Sequence, residues 1–543
     1  LATAGGLALA GLGTVVARFR IVRDVFAENL PLGTGKGLLV HLGLAAAAIV
    51  VFFLFQAVLR RSAEKRGASA AGLRWTAGLL GIGLVASVAL TLVLGGSPAA
   101  ATRPATAKGP NVVLVIVDTL RADRVGVYGS TSPATPGIDA LAHDGVVFDK
   151  AFAHSSWTRP SIATILTSLY PSSHKVMHKT DLLPDAVTTV AEVLRHAGYR
   201  TAGFVTNINV APSFNFQQGF DTYTYLSPDF FFGATDSGAK LSLYSGMRLI
   251  RERFLSSKKY VQHYYQDGET VNRTVLPWLD DNAREPFFAF IHYMDPHDPY
   301  FDLPYDGRAV ARVDTPNPDS SRAAELAKLY DSNVAYVDRF VGDLITELKS
   351  AGAYDNTVVA LVADHGEEFY EHKGWWHGTT LYDEEIHVPL IVKLPKSAHA
   401  GLHVNDLAGT IDVAPTLVAS AGVAVPRAFQ GRDLFGKARA PESLYAEEEL
   451  EGNVLEAIRS HGWKLIIANK GNPRGLAPVE LYDLSKDPGE TYNLAIFKSK
   501  RVAELREQLA AMKKFAGSRA VNEVSGRIDK AAEERLKALG YIQ

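Results

Sequence analysis

Two short apolar runs punctuate the chain, and each stops at an acid. Val112 to Val117 ends at Asp118, and Thr357 to Ala363 (TVVALVA) ends at Asp364-His365-Gly366. Valine-rich runs of this length, without polar alternation, read as strands buried on both faces, the mark of a parallel sheet. Thr201 to Val205, Phe287 to His292 and Val388 to Leu394 read as further strands. Thr189 to His196 reads as a helix. Another opens at Thr158, with Pro160 in its first turn and Ile162, Ile165, Leu166 and Leu169 on its apolar face. Glu325 to Lys349 carries apolar residues at 326, 329, 330, 334, 337, 341, 344 and 348, the spacing of an amphipathic helix. Strands alternating with helices predict an α/β fold, a mainly parallel sheet covered on both faces. After about Gly401 the texture changes. WKLIIA (463–468) and VELYDL (479–484) read as antiparallel strands and Arg501 to Phe515 as a packing helix, which predicts a smaller α+β subdomain. Phe214 to Asp280 is less regular and rich in Phe, Tyr and Lys, the texture of an insertion that sets substrate choice.

Residues 1–96 differ in kind. Leu1 to Ala17 is apolar, and Gly37 to Leu59 and Thr76 to Leu94 are each long enough to span a hydrocarbon core, so about three transmembrane helices are expected. Arg60, Arg61, Lys65, Arg66 and Arg74 crowd the loop between the last two. By the positive-inside rule that loop is cytoplasmic, which places the rest of the chain outside a cytoplasmic membrane, with membrane lipid as a partner. Arg18, Arg20, Arg23 and Lys36 in the opposing loop pull the other way. Residues 97–110 (SPAAATRPATAKGP) have the composition of a tether. The resulting division is 1–96 membrane helices, 97–110 linker, 111–400 catalytic domain and 401–543 C-terminal subdomain. Lys+Arg (56) and Asp+Glu (58) nearly balance, so no nucleic-acid partner is expected. Cysteine is absent, which excludes disulfides and thiolate metal sites.

Acids at the ends of parallel strands stand at the sheet edge that carries chemistry in open α/β folds. Asp118, Asp364 and His365 are the candidate metal ligands. Their oxygen and imidazole donors favour Mn or Zn, with Ca or Mg also compatible. Thr158 sits where a helix start offers free N–H groups and a positive dipole end, a ready anion site. A threonine hydroxyl there is either a helix N-cap or a nucleophile activated by a metal.

At this point the sequence resembles the sulfatase family of the alkaline-phosphatase superfamily. The likeness runs from about Asn111 to the C-terminus through VDTLRAD, TRPSIATILTSLYP, AGYRTAGF, MDPHDPY, VADHGEEF, LYDEEIHVPLIV, IDVAPTL, LYDLSKDPGETYNL and LKALGY, in the family's order. The resemblance implies an alkaline-phosphatase/sulfatase-like mixed sheet sandwiched by helices and a metal-dependent ester hydrolase. It places Thr158 at the nucleophile position, where Thr158-Arg159-Pro160-Ser161-Ile162 aligns with C-x-P-x-R. Ser155 and Ser156 are alternatives that break the proline register. Thr158 would also complete the metal set with Asp118, Asp364 and His365. His297 and His377 would act as proton carriers and, with Arg159 and Asn207, would bind substrate. His292 and His372 would only brace the frame, and Asp338 would support the fold.

Departures from the family pattern narrow the chemistry. The arginine after the nucleophile is Ile162, the second acid of the usual Asp-Asp pair is Thr119, Lys-x-His is replaced by Thr206-Asn207-Ile208, and the late lysine is His377. Each lost cation weakens a sulfate site. The sequence therefore predicts a membrane-anchored hydrolase of a phosphate, phosphonate or sulfate ester, with a lipid or surface glycan as one form of substrate. Two other readings stay open: a phosphoglycerol- or phosphoethanolamine-type transferase, and a non-catalytic protein that binds anionic glycans.

Overall fold

The computed structural model describes residues 105–228, 264–302 and 309–526, with scattered residues between 38 and 53 and residues 533 and 536. Arg103–Pro228 and Lys258–Gln543 form one compact unit, and Leu1–Thr102 with Asp229–Ser257 forms another. The expected membrane spans, the tether up to residue 104 and the LKALGY match lie outside the described residues, save for helical residues 38, 42–47, 49, 50, 52 and 53 and the first residue of that match, Leu536. Among the described residues no helix is long and apolar enough to cross a membrane.

An eight-stranded sheet organises the larger unit. Its strands are β1 (Asn111–Val117), β2 (Val146–Phe152), β3 (Arg200–Val205), β4 (Thr222–Tyr225), β5 (Phe287–Tyr293), β6 (Thr357–Val362), β7 (Leu390–Lys393) and β8 (Leu402–Gly409). They lie in the order β8-β2-β7-β6-β1-β5-β3-β4. Only β7 runs antiparallel to its neighbours, β2 and β6. All seven residues of β1 and all seven of β5 are buried, as unbroken apolar runs require. Each buried Val, Leu or Ile there contributes about 1.5–3 kcal/mol of hydrophobic stabilisation.

Helices α1 (Pro136–His143), α4 (Gly268–Asn282) and α5 (Ala323–Ser350) pack together, as do α2 (Thr158–Thr167), α3 (Val190–His196) and α6 (Val413–Ser420). The amphipathic stripe of α5 is buried from Leu326 to Leu348. Local chemistry sets the helix ends. A Thr189/Glu192 capping box opens α3, and Asp267 accepts from the Thr270 N–H at the start of α4. Asp338, midway along α5, accepts from the N–H groups of Gly137 (2.9 Å) and Ile138 (2.7 Å) and so caps α1 from outside.

The boundary expected at residue 401 falls later. Residues 402–409 pair with β2 as the edge strand of the large sheet, and Ala414 and Leu417 of α6 enter its core. The change of texture at 401 reflects an edge strand, whose half-exposed residues lose the all-apolar signature. Four antiparallel strands follow: β9 (Ser443–Leu450), β10 (Asn453–Ser460), β11 (Trp463–Ala468) and β12 (Val479–Asp483). With α7 (Ser499–Ala516) they bury Ile458, Leu465, Leu481, Leu505 and Leu509 against Tyr170 and Ile411 of the large sheet's own layers. The smaller part is therefore welded on by apolar contact. A polar link adds to it: Lys464 reaches Asp383 (2.9 Å), and Glu490 of the smaller part holds the same ammonium (2.8 Å).

Candidate active site

Strand register alone brings the two acids together. Ile116 of β1 is aligned with Val362 of β6, so Asp118 and Asp364, each two residues further on, emerge side by side at one sheet edge. On the other side Ile116 is aligned with His292 of β5. Asp118, Asp364 and His365 present ligand atoms that all lie within 4.8 Å of one another, and all three are buried. His365 Nε2 is 3.4 Å from Asp364 Oδ2 and 3.7 Å from Asp118 Oδ1. Thr158 Oγ1, at the first residue of α2, is 3.3 Å from the same Nε2.

The ligand-like atoms are oriented by their other contacts. His365 Nδ1 donates to the Gly366 carbonyl (2.9 Å), which leaves Nε2 as the lone-pair nitrogen of the neutral ring. Asp364 Oδ1 accepts from the backbone N–H groups of Thr119 (3.2 Å) and His365 (3.0 Å). Asp118 Oδ2 accepts from Asn207 Nδ2 at 2.8 Å and lies 3.3 Å from His292 Nε2. The other oxygens, Asp118 Oδ1 and Asp364 Oδ2, are buried without a hydrogen-bond partner. Two buried carboxylate oxygens left in that state beside an imidazole nitrogen are costly unless a cation takes them up. The donor set, two carboxylates, one imidazole and one hydroxyl, fits a divalent ion of the Mn, Zn, Mg or Ca group.

The electrostatics fit the same picture. Burial alone would raise the Asp118 carboxyl. The His292 hydrogen bond and the nearby His297 and His365 overcome it and bring Asp118 down to about 2. Burial and then the charge of Asp118 push Asp364 well above the usual carboxylate range, as expected for two acids without a cation between them. Burial lowers His365, against the pull of Asp118.

His297 and His377 form a second layer over this centre. Their rings are 5.0 Å apart, and His377 is 4.5 Å from the His365 ring. His297 Nδ1 donates to the Asp298 carbonyl at 2.6 Å. His377 Nδ1 meets Glu367 Oε1 at 3.0 Å.

Two residues expected to touch substrate are placed differently. The Arg159 guanidinium donates to the carbonyls of His178 (3.1 Å) and Lys179 and to Asn209 Oδ1 (2.8 Å), and it lies over Phe214. Fully buried and so engaged, it braces the loop behind the helix start. Asn207 turns its amide to Asp118 and accepts from the Asn209 N–H (2.9 Å), so it orients a ligand-like acid. Ser155 and Ser156 both donate to Glu448 Oε2, at 2.6 and 3.1 Å, which leaves Thr158 as the hydroxyl at the centre. His292 lies closer to the chemistry than its expected bracing role suggested. Glu367 was not singled out in the sequence, although it follows Asp364-His365-Gly366 directly.

Residues 110–423 match the sulfatase family, and residues 371–516 match the family described as N-sulphoglucosamine sulphohydrolase, C-terminal. The chain is 25% identical over 488 residues to the N-acetylglucosamine-6-O-sulfatase of Bacteroides thetaiotaomicron, covering 74% of this chain and 85% of that protein. It is 25% identical to the choline-sulfatase of Rhizobium meliloti, over 71% of this chain and 82% of that one. In fold it resembles the phosphonate monoester hydrolase of Agrobacterium radiobacter, with a TM-score of 0.58 and 22% identity over 77% of this chain and all of the other. The chain belongs to the sulfatase family. It is an ester hydrolase of that metal-dependent family, built on the family's mixed α/β sheet.

Proposed function

We propose that this protein is a membrane-anchored hydrolase that cleaves a singly charged phosphate, phosphonate or sulfate ester through Thr158. The observation that carries the proposal is the meeting of Thr158 Oγ1, His365 Nε2 and the two unpartnered carboxylate oxygens at one buried point. A divalent ion held by Asp118, Asp364, His365 and Thr158 would supply Lewis acidity toward the ester and lower the pKa of the hydroxyl. In the first half-reaction Thr158 Oγ1 bonds to the sulfur or phosphorus and the bond to the leaving oxygen breaks. The proton lost by Thr158 ends on that leaving oxygen, with His297 and His377 as its carriers. In the second half-reaction water attacks the same centre, the Oγ1 bond breaks, and one proton of the water returns to Thr158. A threonine ester has no hemiacetal by which to collapse, so this second displacement is obligatory.

The charge of the site favours a singly charged ester. Ile162 stands where the family pattern has an arginine, and imidazole replaces a lysine at His377, so two fixed cations are lost. The charged groups that act most on Asp118 and Asp364 are imidazoles and each other, and Arg312 reaches as far as the His377 carbonyl (3.4 Å). Sulfate monoesters, phosphonate monoesters and phosphodiesters share a single negative charge at the reacting group. Paired assays on these three classes and on a doubly charged phosphate monoester test the proposal, and preference for the dianion would overturn it.

The anchor is part of the same reading. Leu38, Leu42, Ile49, Val50 and Phe53 are helical and exposed, a surface suited to lipid. Protease added to intact cells should remove the catalytic unit if it faces outward. Protection until lysis would reverse the topology.

A further inference from the structure

Behind His377 lies a chain of buried groups that the hydrolytic scheme does not use. Glu367 and His377 are each 1% exposed or less, as is Tyr300. Glu367 Oε1 meets His377 Nδ1 at 3.0 Å, and its second oxygen accepts from the Tyr300 hydroxyl at 2.7 Å. Both carboxylate oxygens are thus engaged, one of them by a side chain at the candidate site. Tyr300 is itself fixed, stacked on Trp376 with ring centroids 5.7 Å apart and edge-on to Tyr330. Trp376, the residue before His377, has a φ of +73°, a backbone conformation that a bulky side chain rarely adopts. It is held there by the Tyr300 stack and by donating Nε1–H to the Pro316 carbonyl at 2.8 Å. The circuit closes on His377 from both sides, through its backbone by way of Trp376 and through its ring by way of Glu367.

A core that needed only a filled volume would not bury a carboxylate, an imidazole and a phenol together, because each is costly unless its partners are in place. Where such an arrangement fixes one nitrogen of an imidazole, it sets the ring's orientation and turns the opposite nitrogen to its task. Nδ1 of His377 is the nitrogen fixed here, and the ring packs against His365 and His297.

We propose that Glu367, braced by Tyr300, is a positioning residue that orients the His377 ring so that Nε2 delivers the proton to the leaving oxygen. The proposal rests on the reading of His377 as a proton carrier. In that step the bond from sulfur or phosphorus to the leaving oxygen breaks, and the oxygen takes the Nε2 proton. Nε2 is reloaded with the proton that Thr158 gives up as Oγ1 bonds to the sulfur or phosphorus, handed on through His297, and in the second displacement one proton of the attacking water returns to Oγ1 as the Thr158 ester opens.

The test uses the full-length, metal-loaded protein and two esters of one acid, an alkyl ester with a poor leaving group and a 4-nitrophenyl ester with a good one. Glu367→Gln should lower kcat for the alkyl ester about 10–100-fold, the range for loss of a partner that orients a site imidazole. The 4-nitrophenyl ester, which needs no proton on departure, should change by less than about 3-fold. Tyr300→Phe should give a smaller loss with the same selectivity. His377→Ala should show the selectivity more strongly, and adding Glu367→Gln to it should cost nothing further, because the two act as one unit. Equal losses on both esters, or full additivity with His377→Ala, would overturn the role of Glu367. Should Glu367→Gln fail to fold by circular dichroism, the selectivity of Tyr300→Phe decides the question. An unselective His377→Ala would instead remove the proton-carrier reading itself, and the proposal with it.

Discussion

Thr158 Oγ1 lies 3.3 Å from His365 Nε2, at the first residue of a buried helix and at the edge of a mixed sheet. That contact joins a candidate nucleophile to a candidate metal ligand across 207 residues of sequence. Thr158→Ala should therefore reduce turnover by on the order of 10³-fold or more. Metal content should largely survive through Asp118, Asp364 and His365. Steady-state kinetics and metal analysis of the purified variant check both halves. A covalent adduct mapped by mass spectrometry to Ser155 or Ser156 would contradict the assignment.

Asp118 and Asp364 repel one another in the absence of a cation. Chelation should abolish activity, with recovery on adding Mn or Zn, and should lower Tm by several degrees, because the ion binds only the folded chain. Asp364→Asn removes the carboxyl whose ionisation burial and Asp118 oppose. It should bind metal poorly, yet its metal-free form should melt above metal-free wild type. Calorimetry with and without chelator reads the crossing, and an equal Tm for the two metal-free proteins would count against a shared ion.

His372 supplies a pH-dependent clamp away from the reacting atoms. Burial alone would lower its pKa, but the hydrogen bond and charge of Glu384, 2.5 Å away, raise it from 6.5 to about 9. A raised folded-state pKa stabilises fully below about pH 6.5 and loses that contribution as pH rises through about 9. The loss amounts to about 1–3 kcal/mol. Urea unfolding should show the wild type losing stability between pH 7 and pH 10 more steeply than His372→Gln. Parallel pH curves for the two proteins would show that the pair carries no such linkage.

Asp338 is a fold residue whose loss should spare the chemistry. Its carboxylate serves two N–H groups at the start of α1 from the middle of α5. Asp338→Ala should cost about 1–3 kcal/mol, the cost of leaving buried donors unpaired, with kcat unchanged. A change in kcat without a change in stability would point to a different role.

The apolar runs at Val112–Val117 and Val358–Val362 were legible because a strand buried on both faces must be apolar throughout. Their terminal acids, Asp118 and Asp364, and the histidine beside them were legible for the same reason: a charge that ends such a run marks the sheet edge. The frame around Pro160 likewise placed Thr158 at a helix start. The amphipathic period of α5 and the antiparallel strands β11 and β12 were equally plain, whereas β9 and β10 were not read. The strand at 402–409 was not, since an edge strand is half exposed and loses the apolar signature.

What only the tertiary structure decided are the partnerships between polar side chains far apart in the sequence. Nothing local to Arg159 says that its guanidinium turns to the carbonyls of residues 178 and 179, and nothing local to Asn207 says that it orients Asp118. The pairing of Glu367 with His377 and Tyr300 is of the same kind. Hydrophobic burial is written in the period of the chain, because every residue of an element obeys it. A hydrogen bond between two side chains obeys only the geometry that packing leaves them, and that geometry exists once the sheet is assembled.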